Sequence, residues 1–97
     1  MDMKKRTKIQ KYGNVPNLAN ANVVVGAKQL KKAVRNDRAK YVFLAENADP
    51  AVTEPLAKLC AENHIPITWV ASMADLGRAC GIEVGAAAAA ILNGSNG

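Results

Sequence analysis

Apolar and polar positions along the chain follow two periodicities, one typical of buried strands and one typical of amphipathic helices. Strand-length apolar segments occupy residues 23–25, 41–45 and 65–71. The second is apolar throughout, which predicts a central strand covered on both faces. Between the first two segments, residues 27–36 place apolar side chains at spacings of three and four, as an amphipathic helix does. The pattern predicts alternating strands and helices.

The second predicted helix carries conflicting proline signals. Asp49 and Pro50 are typical of a helix start, with Asp as the capping residue and Pro in the first helical position. Pro55 is unfavourable inside a helix, because it removes one hydrogen bond and clashes with the preceding turn. We therefore expect a kink at Pro55 or a start nearer Thr53, and an end near Asn63.

The last apolar segment, residues 86–92, also gives conflicting signals. Its five alanines favour a helix by propensity. Its length and its ending in Ile91 and Leu92 favour a strand. It also follows a third predicted helix, which starts at Ser72 and stops at Gly81. We predict a strand, which completes the alternation expected of an α/β/α sandwich.

Length and charge restrict the class of protein. Ninety-seven residues, 49% of them apolar, suffice for one domain with a modest core. Residues 1–40 carry a net charge of +9 and residues 41–97 a net charge of −4, which together give the overall +5. This asymmetry indicates a polyanionic partner, either nucleic acid or an anionic membrane surface.

The same composition predicts the compartment and the domain limits. The longest apolar run has seven residues, too few to span a bilayer, and no secretory signal pattern is evident. We expect a cytoplasmic protein without a membrane partner. Residues 1–14 form a basic arm, expected to be flexible alone and either to order on nucleic acid or to act as a solubilising extension. Residues 15–92 form the domain, and residues 93–97 a flexible tail.

The helix at residues 27–36 carries a basic stripe beside its apolar side. Lys28, Lys32 and Arg35 recur at i, i+4 and i+7, a like-charge arrangement that costs helix stability. Such a stripe is either an ordinary solvated face or a binding surface. The turn at Gly26 and Ala27 leads from a strand into this helix, so its backbone N–H groups are suited to an anion.

Motifs for catalysis, cofactors and metals are absent from the sequence. It contains no phosphate-binding loop, dinucleotide-binding glycine motif or nucleophile elbow. Cys60, Cys80 and His64 are too few for the usual zinc site, and we interpret both cysteines as small buried hydrophobic residues. Trp69 is interpreted as a packing residue. We expect no cofactor and no enzymatic activity.

Six segments, taken in their order along the chain, resemble the kink-turn RNA-binding ribosomal proteins, the L-seven-Ae and L-thirty-e group. They most resemble the small bacterial members of that group. The resemblance implies a three-layer α/β/α fold with a four-stranded mixed sheet. It also implies binding to kink-turns, in which a bulge adjoins tandem sheared G·A pairs. The segments are Gly-Ala-Lys-Gln-Leu-Lys-Lys-Ala-Val from residue 26, Ala-Lys-Tyr-Val-Phe-Leu-Ala-Glu-Asn-Ala-Asp-Pro from residue 39, Leu-Cys from 59, Ile-Pro from 65, Ser-Met-Ala-Asp-Leu-Gly-Arg-Ala-Cys-Gly from 72 and Ile-Glu-Val-Gly-Ala-Ala from 82.

Carried over by position, the resemblance assigns part of the first helix to the G·A pairs and the loop after Gly81 to the bulged nucleotides. Lysine can donate to guanine O6 and N7, and glutamine can donate and accept on a base edge. Apolar loop residues can contact bases that have left the stack. The candidate RNA-binding residues are Gly26, Ala27, Lys28, Gln29, Lys32, Arg35, Ile82, Glu83, Val84 and Gly85.

We therefore expect a monomeric, non-enzymatic protein that binds structured RNA containing a kink-turn, either ribosomal RNA or another non-coding RNA. Two alternatives stay open on the same α/β fold. One is a nucleotide- or small-molecule-binding enzyme, which the helix start at Gly26 allows. The other is a protein-interaction scaffold, for which RNA affinity would be weak and would not depend on a kink.

Overall fold

A computed structural model describes residues 9–10, 18 and 22–93 of the chain. Residues 94–97 of the predicted flexible tail and most of the predicted basic arm lie outside these residues. Asn93, the first residue of that tail, is described, and it donates hydrogen bonds to the carbonyls of Arg38 at 2.7 Å and Asp37 at 2.9 Å. None of the described helices is both long and apolar enough to cross a membrane. The elements are β1 (Ile9–Gln10), β2 (Val23–Val25), α1 (Ala27–Arg35), β3 (Ala39–Ala45), α2 (Pro50–Glu62), β4 (Ile67–Val70), α3 (Met73–Ala79) and β5 (Ala88–Leu92).

The strands form one mixed sheet in the order β1-β4-β3-β5-β2. β3 pairs in parallel with β4, whereas β5 pairs antiparallel with both β3 and β2. The four predicted strands are therefore confirmed as one mixed sheet, with the apolar strand β3 at its centre. Beyond them, the two-residue strand β1 pairs in parallel with Trp69 and Val70 of β4.

Helices cover both faces of the sheet, which confirms the predicted three-layer α/β/α architecture. Side chains along β3 point alternately to the two faces. Val42 and Leu44 are buried in the core cluster formed with α1 and α2. Phe43 and Ala45 are buried in the opposite cluster with Leu76 of α3. Alternation along one strand thus builds two cores.

The alanine-rich segment is strand β5, as predicted against its helix propensity. Ala88, Ala89 and Ala90 are at most 1% exposed, and they lie between the neighbouring strands β3 and β2. Ala88 and Ala90 belong to the core cluster with α1 and α2, whereas Ala89 belongs to the cluster with α3. Strand pairing on both sides and burial on both faces override the intrinsic preference of alanine.

Helix α2 begins at Pro50 and continues through Pro55. The Asp49 carboxylate accepts a hydrogen bond from the N–H of Ala51 at 2.9 Å. The N–H of Thr53 donates to the carbonyl of Asp49 at 3.1 Å, so the first turn is already closed there. Of the two expectations for this helix, the later start near Thr53 is therefore wrong.

All three helices end in the same backbone arrangement, the Schellman motif. The residue after each C-cap has a positive φ, and the N–H of the following residue donates to the carbonyl five positions back. The positive-φ residues are Asp37 (61°), His64 (60°) and Gly81 (79°). Only the third is glycine, the residue that adopts this conformation at least cost.

Replacing His64 by glycine is therefore expected to stabilise the protein by about 0.5–1 kcal/mol, because it relieves a left-handed conformation. Denaturant unfolding of the variant measures the change. Glu62→Gly is a control, since Glu62 lies in the right-handed last turn of α2 and glycine there should cost about 0.5–1 kcal/mol. Equal destabilisation by both substitutions would contradict the prediction.

Candidate functional site

One edge of the sheet brings together the starts of all three helices. β2, β3 and β4 run in the same direction and each leads into a helix, whereas β5 runs the opposite way and begins at this edge. The N–H of Gly26 donates to the carbonyl of Ala88 at 2.9 Å, and the N–H of Ala45 donates to that of Ala87 at 2.9 Å. We call this the helix-start edge, formed by residues 26–29, 46–49, 71–73 and 81–87.

The sequence-predicted site residues form two groups in the structure, one on α1 and one in the loop before β5. The hydrogen bond from Gly26 to Ala88 holds the start of α1 beside the strand into which that loop leads. Arg35 lies in the last turn of α1, about 13 Å along the helix axis from Gly26. Nine of the ten candidates thus lie at the helix-start edge or within the first two turns of α1, and Arg35 lies farther away.

The start of α1 differs from the other two helix starts. Gly26 occupies the N-cap position with φ 109° and ψ 153°, and no side chain among the described residues caps the helix. The first turn contains no acidic residue. By contrast, Asp49 caps α2, and Ser72 caps α3 by accepting from the N–H of Asp75. The first N–H groups of α1 are therefore the ones suited to an external anion.

Cationic side chains of α1 line one side of an open groove of about 700 Å³ along the helix. Lys28, Lys32 and Arg35 are exposed, whereas the apolar side of the helix is buried against the sheet. A second groove of about 210 Å³ lies on the other flank, and Lys32 borders both. Within the described residues, the ion pair present joins Arg78 to Asp75 on α3, and none involves α1. The first groove is lined by Ala27, Lys28, Lys31, Lys32, Arg35 and Asn36.

The loop before β5 presents apolar side chains to solvent. Val84 is 70% exposed and Ile82 is 36% exposed, and both are among the few large apolar side chains exposed in the described residues. Glu83 and Gly85 are exposed as well. An isolated exposed apolar residue needs no explanation, but two in one loop form an apolar surface suited to unstacked bases.

A further residue at this edge was not predicted from the sequence as part of the site. The side-chain Oδ1 of Asn47 accepts a hydrogen bond from the N–H of Met73 at 2.8 Å. This contact ties the turn after β3 to the first residue of α3. The sequence signal was an asparagine just after a buried strand, but its partner lies 26 positions away and spacing does not reveal it.

The cysteines and the tryptophan have structural roles, as predicted. Cys60 is fully buried in the core, and Cys80 packs partly buried against the other core cluster. Burial raises the pKa of both thiols, so they stay protonated and unreactive at neutral pH. Trp69 packs partly buried against the cluster formed with α1 and α2.

Comparisons with known proteins define the class of protein to which this chain belongs. The chain is 48% identical over 71 residues to an RNA-binding protein of Bacillus pumilus, a match covering 73% of this chain and 87% of that one. It is 44% identical over 70 residues to RNA-binding protein YbxF of Geobacillus stearothermophilus, covering 72% of this chain and 85% of the relative.

Solved structures show the same fold. The 15.5kD RNA binding protein of Giardia lamblia superposes with a TM-score of 0.71 at 29% identity, covering 76% of this chain. The match spans 62% of the Giardia chain. A protein of unknown function from Bacillus halodurans superposes with a TM-score of 0.67 at 27% identity, covering 72% of this chain and 70% of that one.

The relatives and the family match given next define an RNA-binding protein rather than an enzyme, so the alternative of a nucleotide-binding enzyme is set aside. The family is equally clear. Residues 10–96 match the "Ribosomal protein L7Ae/L30e/S12e/Gadd45 family", and the chain belongs to it. The resemblance drawn from the sequence is thereby confirmed.

Proposed function

We propose that this protein, as a monomer, recognises kink-turns in structured RNA and stabilises their kinked form. The observation that carries the proposal is the hydrogen bond from Gly26 to Ala88, which holds the uncapped, cationic start of α1 beside the strand that follows the apolar loop. A kink-turn offers both kinds of target, because it contains paired guanines and phosphates next to bases that have left the stack.

The α1 group is suited to the paired part of the motif. Lys28 and Lys32 lie four positions apart on one side of the helix, both exposed, and can donate to guanine O6 and N7. Gln29 is exposed beside them and can both donate and accept. The first N–H groups of α1 can donate to a phosphate. Arg35, farther along α1, is assigned by this proposal to the sugar–phosphate backbone.

The loop group is suited to the bulge. Val84 and Ile82 offer apolar surface to bases that have left the stack. Because the extended form of the RNA keeps those bases stacked or mobile, the protein binds the kinked form more tightly. It shifts the RNA population by that difference in affinity. A binder that used charge alone would lose any preference between the two forms as salt rises.

The proposal is tested by titrating the protein with a short kink-turn RNA and with the same RNA carrying Watson–Crick pairs in place of its G·A pairs. We expect the intact motif to bind about tenfold more tightly or better, since each base contact contributes about 1–3 kcal/mol. The preference should persist when salt is raised, although both affinities fall because phosphate contacts are screened.

Two results would contradict the proposal. Equal binding to both RNAs, collapsing together as salt rises, would reduce the α1 surface to a general electrostatic contact. Weak binding to both RNAs at low salt would favour the alternative of a protein-interaction scaffold. The molecular masses of the free protein and of its RNA complex in solution test whether the protein is a monomer.

A further inference from the structure

The apolar loop rests directly on the backbone of α3 at a glycine. Gly77 lies in the middle of α3 and is buried. A Cβ added at Gly77 would lie 2.1 Å from the carbonyl oxygen of Val84 and 3.1 Å from the Cα of Gly85. Such contacts involve backbone rather than flexible side-chain ends, so no rotamer change relieves them. The loop occupies the space that any side chain at position 77 requires.

Hydrogen bonds attach both ends of the loop to the same helix. The N–H of Ile82 donates to the carbonyl of Gly77 at 3.1 Å, and the N–H of Ala86 donates to the carbonyl of Met73 at 3.0 Å. The two acceptors are four positions apart, which is about one helical turn. The loop therefore spans one turn of α3 and is fixed at each end by a main-chain bond.

A third contact between the loop and α3 lies at the start of that helix. A Cβ at Gly85 would lie 3.1 Å from the Cβ of Met73, so this part of the loop also touches α3 closely. Met73 in turn donates its N–H to the side chain of Asn47. The loop, the start of α3 and the turn after β3 form one connected unit at the helix-start edge.

Glycine inside a short helix needs a physical reason, because it lowers helix stability relative to alanine. Here the reason is close approach of the loop backbone. With the carbonyl of Val84 resting on Gly77, the Val84 side chain is 70% exposed in the free protein. The outward position of the Val84 side chain is thus set in the free protein, so binding does not have to order the loop.

We propose that Gly77 is a positioning residue for RNA recognition: it seats the loop so that Val84 is held outward against bulged bases. This inference rests on the proposed kink-turn function and assigns part of its specificity to a residue that does not touch RNA. In Gly77→Ala, the new Cβ forces the Val84 carbonyl to move by about 1 Å, since real Cβ contacts are not shorter than 3.0 Å.

The first measurement is made on the free protein. Amide chemical shifts of Val84, Gly85 and Ala86 are compared between wild type and Gly77→Ala. We expect these amides to shift while those of α1 stay unchanged. Ala74→Gly is the matched control, because Ala74 is exposed on α3 and its change lowers helix stability without adding an atom near the loop. Unmoved loop amides in a folded Gly77→Ala protein would overturn the proposed seat.

The second measurement uses a kink-turn RNA with and without its bulged nucleotides. Gly77→Ala is expected to bind the bulged RNA about ten- to a hundredfold more weakly, which is the usual loss for one base contact, with a much smaller loss on the bulge-free RNA. Val84→Gly should show the same selective loss, and the double variant no further loss, because both changes remove one contact.

The outcomes separate the two proposals. Displaced loop amides together with an unchanged preference for the bulged RNA would overturn the positioning role. Independent, additive losses from Gly77→Ala and Val84→Gly would overturn it as well. A wild-type protein with no preference for the kink-turn would overturn the proposed function and the role of Gly77 in RNA binding, and the amide shifts would still decide whether α3 seats the loop.

Discussion

Replacing Lys28 and Lys32 together by alanine is expected to weaken binding to kink-turn RNA by about 2–6 kcal/mol, the sum of two base contacts of about 1–3 kcal/mol each. Both side chains are exposed on one side of α1, next to the uncapped helix start. Lys32 also borders both grooves that flank this helix. The loss is expected mainly in the preference for intact G·A pairs.

A charge-matched control separates base contacts from general attraction. Lys40→Ala with Lys58→Ala removes the same net charge from exposed positions outside α1. This control should bind both RNAs slightly more weakly and keep the ratio between them. If the α1 double variant also keeps that ratio, its lysines contact phosphates only. The slope of log K against log salt would then fall by nearly one for each lost contact.

Gly26→Val is expected to destabilise the fold by about 2–3 kcal/mol. Gly26 has φ 109° and ψ 153°, a region open essentially to glycine alone, and branched side chains tolerate it least. A Cβ at this position meets nothing within 4 Å, so the cost comes from backbone strain rather than from a clash. The substitution should also disturb the hydrogen bond to Ala88 and thereby the alignment of the site.

Denaturant unfolding measures this effect, and Ala27→Val provides the comparison. Ala27 is the first residue of α1 and lies in the right-handed region, so valine there should cost less than about 1 kcal/mol. RNA binding is then measured where both variants are fully folded. Equal stability losses for the two variants would show that the conformation of Gly26 carries no strain for other residues.

Much of the fold follows from local signals that agree with one another. The apolar run at β3 predicted a central strand, and the capping residues Asp49 and Ser72 marked helix starts that the structure contains. β5 required more than propensity, because its alanines favour a helix in isolation. Its place in the alternation of elements correctly predicted a strand, because pairing with two neighbouring strands outweighs a small intrinsic preference for helix.

The unpredicted features all depend on contacts between distant residues. Strand β1 exists because two residues pair with β4, about sixty positions away, and so short a segment has no periodicity to detect. Asn47 resembles any turn residue until Met73 is placed against it. In the sequence, Gly77 resembles any glycine that weakens a helix. Only the close approach of the Val84 carbonyl oxygen in the structure explains why a side chain does not fit there. Local pattern carries no information about such approaches.

The charges at the helix-start edge and on α1 determine how an anionic partner would approach. Each helix N-terminus carries roughly half a positive charge, and all three face the same edge of the sheet. The exposed carboxylates of Glu46, Asp49 and Glu83 lie at the same edge and offset this partial charge, so the positive field that attracts a polyanion comes from the cationic side chains of α1. Under the proposed function, salt should therefore slow association by screening α1, whereas the lifetime of the complex should depend on the fitted contacts of α1 and the loop.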